Sequence, residues 1–352
     1  MEGQQPKVSY FEKWVDPVAI ERIAADGRIS LTCQKYDVPE ALNRAALDTA
    51  HGYQIAPRVE LHAPWFADAD LIARHPRLLA ICSTGSGYDV IDVDACTAGG
   101  IIVCNQAGAN AQAVAEHAVA MMLNLSKRLV STDRAVRRPE QVERFSYPGN
   151  DLSAKTVGIV GLGHIGRRVA DICRNGFKMR VLAYDPYLSN TEIETRGGVP
   201  RDLDALLAES DFVSVNCPRT EETVGMFDAR AFEKMKQSAY FINTARGGIH
   251  DEGDLGAALA AGTIAGAGLD VFLQEPPPHD HPLLDYDNVI ANPHIAGLTH
   301  ESLHTMSLFA ADQWISIFRG DVPPRLINPQ VWLAYCDRFE QAFGFRPATL
   351  KN

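Results

Sequence analysis

One stretch narrows the fold of this chain more than any other: Thr156-Val-Gly-Ile-Val-Gly-Leu-Gly-His-Ile-Gly166. The apolar run Val157 to Val160 reads as a buried strand. It leads directly into Gly161-x-Gly163-x-x-Gly166, and Ile165, Val169 and Ile172 follow at helical spacing. The pattern is strand, glycine turn, helix, and each glycine has its own task. Gly161 permits the tight turn, Gly163 lets a pyrophosphate approach the backbone, and Gly166 lets the helix pack close to the strand. The pyrophosphate would rest on the free N–H groups at the positive end of the helix.

The motif has a partner. A second apolar strand, Arg180-Val-Leu-Ala-Tyr184, ends in Asp185, 24 residues after Gly161. A carboxylate there accepts both ribose hydroxyls of adenosine. It also repels a 2′-phosphate, by roughly 4 kcal/mol per unit-charge pair at ~4 Å and an effective dielectric of ~20. This points to NAD rather than NADP. The plainer reading of Asp185 is a turn residue before Pro186.

At 352 residues the chain is long enough for two domains. Its apolar content of 46% and charged content of 22% suit a soluble globular protein. A net charge of −11 disfavours nucleic acid and anionic membrane surfaces as partners. The opening residues, Met1-Glu-Gly-Gln-Gln-Pro-Lys-Val, carry no signal-peptide pattern, and no apolar run approaches a membrane span. The seven cysteines are scattered and form no Cys-x-x-Cys. They read as free thiols of a cytoplasmic protein, with no metal site expected.

Strand-like runs at Lys7–Phe11, Arg28–Thr32, Val59–Leu61, Leu78–Cys82 and Ile101–Cys104 alternate with helical stretches. This is α/β patterning with a parallel sheet. A long helical pattern runs from Ala111 towards Arg138, and the segment Arg138 to Asp151 breaks it with two prolines and a glycine. Six strands follow, at 156–160, 180–184, 211–215, 239–243, 265–269 and 289–291. They predict a doubly wound sheet. After a last helix at about 300–319, an aromatic tail (Trp332, Tyr335, Phe339, Phe343, Phe345) is expected to return to the N-terminal domain. The expected architecture is two Rossmann-like or flavodoxin-like α/β domains with a deep cleft. A dinucleotide domain, 109–302, is inserted into a discontinuous substrate domain, 1–108 and 303–352, with chain crossings acting as a hinge.

Reducing a 2-oxo acid with NADH requires a cation for the carboxylate and carbonyl, an acid for the oxygen, and an anion to orient that acid. Arg246 follows the strand Ala239 to Asn243, and its guanidinium fork matches a carboxylate. His294 follows the strand Asn288 to Ala291 and carries a proton that moves near neutral pH. Glu275 lies in Gln274-Glu-Pro-Pro-Pro278, a stiff loop, and a carboxylate beside His294 would fix its tautomer. Taken singly, each has a plainer reading: a solvated turn arginine, one of eleven histidines, an exposed loop acid. His51, His75, His279 and His281 read as surface residues, and His117 and His304 as helix residues.

Together these blocks resemble the D-isomer-specific 2-hydroxyacid dehydrogenase family. The matching segments are Gly85-Ser-Gly-Tyr-Asp89, Val114-Ala-Glu-His117, Gly161 to Gly166, Asn243-Thr-Ala-Arg-Gly-Gly248, Gly268-Leu-Asp-Val-Phe272 with Glu275-Pro276, and Pro293-His294. The resemblance implies that Arg246, Glu275 and His294 are the catalytic trio. It implies that Thr84, Gly85 and Ser86, with Arg246, hold the substrate carboxylate. Around NAD it places Gly161, Gly163, His164, Ile165, Gly166, Asp185, Cys217, Pro218 and Val114, with Thr244 and Asp270 orienting the nicotinamide. It also implies a homodimer through the dinucleotide domain, with the 111–150 helix and loop as interface. Formate dehydrogenases resemble the family but carry Gln at the Glu275 position, so the glutamate favours a 2-hydroxy/2-oxo acid couple.

There are departures. Asn216-Cys-Pro218-Arg219 replaces a common His-Val-Pro-Leu, and Arg219 could meet a 2′-phosphate. His250 stands where relatives have an apolar residue, and the 139–150 loop lacks a common Gly-x-Trp element. Ser83 occupies a place where some phosphoglycerate dehydrogenases carry Arg, and His62-Ala-Pro-Trp-Phe66 is expected to form a mostly apolar substrate wall. The expected activity is NAD-dependent D-2-hydroxyacid dehydrogenation of a small unphosphorylated acid. A short-form D-3-phosphoglycerate dehydrogenase and an NADH-sensing corepressor-like binding protein are the alternatives.

Overall fold

The computed structural model describes residues 4–57, 60–139 and 141–350. The chain divides into two compact units, one of residues 1–110 and 299–352, the other of 111–298.

The first unit opens with β1 (Lys7–Phe11), α1 (Val18–Asp26), β2 (Ser30–Gln34), α2 (Glu40–Asp48), β3 (Gly52–Ile55), α3 (Ala69–Arg74), β4 (Ala80–Ser83), α4 (Val93–Ala98) and β5 (Ile102–Cys104). The five strands are parallel, in the order β2-β1-β3-β4-β5. This is the flavodoxin-like order. The strand expected at Val59–Leu61 is not found among the described residues of that range. Val59 lies outside the described residues, Leu61 belongs to no strand, and β3 is instead the buried run Gly52–Ile55. Its sequence, Gly-Tyr-Gln-Ile, hides the strand because Gln54 is buried on hydrogen bonds with Trp314 and Thr84. The expected second strand starts two residues later than read, at Ser30.

The second unit begins with α5 (Ala111–Lys127) and α6 (Leu129–Val136), followed by β6 (Thr156–Val160), α7 (His164–Asp171), β7 (Arg180–Tyr184), α8 (Asn190–Thr195) and β8 (Val199–Pro200). It continues through α9 (Leu203–Glu209), β9 (Phe212–Val215), α10 (Ala229–Lys234), β10 (Tyr240–Asn243), α11 (Glu252–Ala260), β11 (Gly266–Leu269) and β12 (Val289–Ala291). All seven strands are parallel, in the order β12-β11-β10-β9-β6-β7-β8. The sheet is doubly wound, with its switch point between β6 and β9. The six expected strands are present. The seventh, β8, is two residues long and includes a proline, so it leaves no periodic signal.

The single long helix expected from Ala111 towards Arg138 is two helices. Arg128 breaks it in a left-handed conformation, φ 56°. The carbonyl of Ser126 is taken by the Asn150 N–H at 2.7 Å, and the Arg128 guanidinium donates to the Ser146 carbonyl and lies over the Tyr147 ring. A returning segment distant in sequence therefore ends the helix.

The chain then rejoins the first unit as α12 (His300–Arg319) and α13 (Trp332–Phe343). The expected return of the aromatic tail is found: Trp332, Tyr335 and Phe339 enter one core with Val8, Ile102 and Trp314. Trp314 lies so close to Gly52 that a β-carbon there would come within 2.4 Å of its ring. Trp65 is also core, 5.0 Å from the Phe11 ring, so the 62–66 segment does not present it as a wall.

His51 and His75, expected at the surface, are buried. His51 accepts the Lys7 N–H on Nδ1 at 3.1 Å, and burial pushes its pKa down to about 4. The unfolded chain, with a histidine pKa of ~6.5, takes up that proton first. The native state is therefore favoured above pH ~6.5 and loses this advantage as pH falls towards 4. We expect stability in urea to drop between pH 7 and pH 5, with His51 contributing ~1–2 kcal/mol of the change. His51→Asn, which keeps an acceptor but cannot titrate, should show a correspondingly flatter profile.

Candidate active site

Strand register sets out the site before any side chain is considered. Val160 pairs with Tyr184 on one side and Val215 on the other; Val215 pairs with Asn243, Asn243 with Leu269, and Leu269 with Ala291. The residues one step beyond form a single row along the carboxyl edge of the sheet: Gly161, Asp185, Asn216, Thr244, Asp270 and Asn292. Ligands of open parallel sheets bind at this edge.

The glycine turn has the geometry its sequence implies. Gly161 has φ 88°, and a β-carbon there would lie 2.8 Å from the Cys217 nitrogen across the switch point. At Gly166 it would lie 2.0 Å from the Gly161 carbonyl oxygen. At Gly163 it would meet nothing within 4 Å, which leaves open space where a pyrophosphate would approach. Gly163 is the N-cap of α7 and supplies no side chain to the first turn. His164 begins the helix, exposed, with Nδ1 2.9 Å from an Arg167 nitrogen, and Ile165 packs on the core beneath.

Asp185 accepts the Leu162 N–H on one oxygen at 2.9 Å and the Tyr187 N–H on the other at 3.1 Å. It borders a hollow of about 270 Å³ lined also by Asn190, Ile193, Arg201 and Asp202. Arg201 is paired with Glu209 at 2.8 Å. Arg219, which the sequence had associated with the adenosine, lies beside Gly248, its Nε 3.4 Å from where a β-carbon would be. Cys217 is partly buried, which pushes its thiol up to about 11 and keeps it neutral. Pro218 is exposed beside it, and Val114 is buried on α5. Thr244 is buried, and its hydroxyl oxygen has no hydrogen-bond partner among the described residues. Open space at Gly163, uncapped helix N–H groups and an orphaned hydroxyl on the same edge together fit a dinucleotide.

Glu275 and His294, 19 residues apart, meet: Oε2 lies 2.8 Å from Nδ1. The other Glu275 oxygen accepts the Phe272 N–H at 3.1 Å. Both side chains are partly exposed, 19% and 28%, so the outer nitrogen of the imidazole can reach a ligand. His294 has φ 57°, a conformation unfavourable for a residue with a β-carbon. Asp270 holds it there. The His294 N–H donates to the Asp270 carbonyl at 2.7 Å, and the fully buried Asp270 carboxylate accepts the Ile295 and Ala296 N–H groups, each at 2.9 Å. Burial raises the pKa of this carboxyl, and the two N–H groups oppose the rise. His117 on α5 stands 3.2 Å from Asn292 Oδ1 and 3.8 Å from Asp270.

Arg246 is partly buried, with one guanidinium nitrogen donating to the Ala245 carbonyl at 2.7 Å. Its loop is pressed against the Glu275 loop: a β-carbon on Gly247 would lie 1.9 Å from the Phe272 carbonyl oxygen. Glu252 braces the same region, accepting the Leu273 N–H at 2.7 Å and pairing with His281 at 3.1 Å. Sequence reasoning missed Glu252, and took His281 for a surface residue. Their one sequence signal was a carboxylate at the start of a helix.

In the first unit, Thr84, Gly85 and Ser86 follow β4, again at a carboxyl edge. Thr84 is held by Gln54 at 3.1 Å, and Ser86 donates to Asn110 at 2.9 Å. Among the described residues no group of His, Cys, Asp and Glu could hold a metal ion, and no helix is long and apolar enough to cross a membrane. All seven cysteines are free thiols, and five are buried.

The family model for the D-isomer specific 2-hydroxyacid dehydrogenase NAD-binding domain matches residues 119–296. A glyoxylate/hydroxypyruvate reductase B from Pectobacterium carotovorum is 37% identical over 330 residues, 93% of this chain and 99% of that protein. A D-3-phosphoglycerate dehydrogenase from Archaeoglobus fulgidus is 42% identical over 253 residues, 72% of this chain but only 48% of that longer protein. Among solved structures, an NADPH-dependent glyoxylate/hydroxypyruvate reductase from Sinorhizobium meliloti, in complex with NADP and malonate, superposes with TM-score 0.79. It is 25% identical, and the match covers 99% of this chain and 100% of that one. The chain belongs to the D-isomer specific 2-hydroxyacid dehydrogenase family. It is an oxidoreductase with an NAD(P)-binding domain.

The contact between the two loops gives a prediction. Gly247→Ala must separate the Arg246 and Glu275 loops or strain both, at a cost of ~1–3 kcal/mol. We expect unfolding to shift by that amount and turnover to fall at least tenfold, while Gly163→Ala, which meets no protein atom, should fold normally but bind dinucleotide more weakly. Equilibrium unfolding and NADH titration separate the two.

Proposed function

We propose that this protein reduces a small unphosphorylated 2-oxo acid, such as glyoxylate or hydroxypyruvate, with NADH. The observation that carries the reading is the Glu275–His294 pair, held by Asp270 at the carboxyl edge of a dinucleotide-binding sheet. When bound, the dinucleotide supplies the hydride for the carbonyl carbon. Arg246 holds the substrate carboxylate and polarises the carbonyl. His294 delivers a proton to the carbonyl oxygen, and Glu275 stabilises the protonated imidazole and fixes its orientation. In the reverse direction the same imidazole takes the hydroxyl proton. The Thr84–Ser86 turn is assigned to the carboxylate as well. Thr244 and Asp270 are assigned to the nicotinamide.

Asp185 supports NAD over NADP, because its carboxylate disfavours a 2′-phosphate. The names of the glyoxylate/hydroxypyruvate reductases support an unphosphorylated acid. The A. fulgidus relative favours a second reading, a short phosphoglycerate dehydrogenase. We also propose a homodimer through the second unit: Leu129, Val136 and Phe145 expose 52%, 71% and 88% of their surfaces along one segment. Sedimentation should give twice 38.5 kDa. Free thiols suit a cytoplasmic location.

Initial rates of NADH and NADPH oxidation with glyoxylate, hydroxypyruvate, phenylpyruvate and 3-phosphohydroxypyruvate test the reading. We expect NADH and an unphosphorylated acid to be preferred. Preference for the phosphorylated acid would establish the second reading, and NADH binding without turnover would make the chain a binding protein. His294→Ala should lower kcat by about 10²–10⁴ and leave NADH affinity intact. Arg246→Lys keeps the charge but loses the fork, and should lower kcat/KM at least tenfold. Asp185→Ala should narrow the preference for NADH; an unchanged ratio would remove Asp185 as the ribose ligand.

A further inference from the structure

His250 is the departure from the family pattern that the proposed chemistry leaves unused. It follows the Arg246 loop by four residues and is 1% exposed. Its surroundings determine its proton. The Oδ1 of buried Asn243 accepts the Ala245 N–H at 2.9 Å, which fixes the orientation of the amide. The Asn243 amide nitrogen therefore faces its two remaining neighbours as a donor only. One is the backbone carbonyl of Arg246, at 3.0 Å; the other is Nδ1 of His250, also at 3.0 Å. An amide nitrogen has no lone pair to offer, so Nδ1 must be the acceptor, and His250 must be neutral with its hydrogen on Nε2.

We infer that His250 is a positioning residue for Arg246: by accepting the second amide hydrogen of Asn243, it locks the amide that holds the Arg246 carbonyl, and so sets where the guanidinium meets the substrate carboxylate. The inference rests on the proposed role of Arg246. The alternative conformer of Asn243, with the amide rotated, would set an N–H₂ against the Ala245 N–H and an oxygen against the Arg246 carbonyl, losing both loop contacts. An apolar residue at 250 leaves one amide hydrogen unsatisfied in a buried site. The outer side of the loop is held separately, by the Gly225 and Phe227 N–H groups on the Gly248 and Ile249 carbonyls, so His250 controls the inner side.

The same geometry makes the lock sensitive to acid. A protonated His250 would turn an N–H towards the Asn243 N–H₂. Burial pushes the His250 pKa down to about 4; Glu252 and Asp251 oppose that shift, and His281 adds to it. The Phe241 ring lies 5.5 Å from the imidazole, the Phe227 backbone bridges to His250, and buried Nε2 has no hydrogen-bond partner among the described residues. The lock is therefore closed at neutral pH and opens as pH falls towards 4.

The test compares His250→Leu with His250→Asn, whose Oδ1 can replace the Nδ1 acceptor. Steady-state kinetics with glyoxylate and NADH are measured alongside NADH affinity. We expect His250→Leu to raise KM for the acid about tenfold, with kcat and NADH affinity changed by less than about threefold. His250→Asn should return KM to near the wild-type value. Equal loss in both variants would make His250 merely structural, and wild-type KM in His250→Leu would also overturn the proposal. If His250→Leu does not fold, the pH series decides: between pH 7 and 4, where half of His250 is protonated, the wild-type KM should rise about twofold more than that of His250→Asn, and matching profiles would refute the lock. Arg246→Lys runs in parallel. Wild-type behaviour there removes Arg246 from substrate binding, whereas an impaired Arg246→Lys with an unaffected His250→Leu overturns only the role of His250.

Discussion

The Glu275–His294 contact depends on one buried carboxylate. Asp270 follows β11 with no exposed surface, and each of its carboxylate oxygens accepts a backbone N–H from the turn after β12. That turn contains His294 in a left-handed conformation, which costs of order 1–3 kcal/mol for a residue with a β-carbon. Two charge-assisted hydrogen bonds to backbone N–H groups, and a third from the His294 N–H to the Asp270 carbonyl, offset the strain. The imidazole is thereby directed at Glu275. Loss of the Asp270 carboxylate would remove two of the hydrogen bonds that hold this turn.

Around this contact the second unit places rigid supports and few free loops. The Arg246 loop and the Glu275 loop touch through Gly247, where even a methyl group cannot fit. Glu252, at the first position of α11, ties the Glu275 loop from beneath through Leu273 and His281. Asp251 caps the same helix by accepting the Asp254 N–H. The Glu275 loop and the Arg246 loop therefore stand on one scaffold. Pre-organised geometry of this kind lowers the reorganisation needed during reaction.

Much of this was legible in the sequence. The glycine turn, Asp185, and the positions of Arg246 and His294 just beyond strands follow from local rules: apolar runs, glycines at fixed offsets and polar residues at strand ends. The aromatic tail also announced its return, because Trp332, Tyr335 and Phe339 had no other core to enter. Local rules failed where a distant partner changed a residue's environment. His51 reads as a polar surface residue until the Lys7 N–H satisfies it, and Gln54 conceals a strand until Trp314 does the same. The helix through Arg128 is unbroken in sequence and interrupted in structure, because Asn150 returns to claim the Ser126 carbonyl.

The sequence by itself determined the parallel α/β class, the dinucleotide turn and the residue types available for hydride chemistry, since these depend on patterns within a few turns of chain. Only the tertiary structure decided which residues meet. The contact of Glu275 with His294, the use of Asp270 as an anchor, and the burial of His250 behind Asn243 all follow from strand order. Strand order brings segments far apart in sequence to one edge, and it is set by the packing of the whole sheet rather than by any one of its segments.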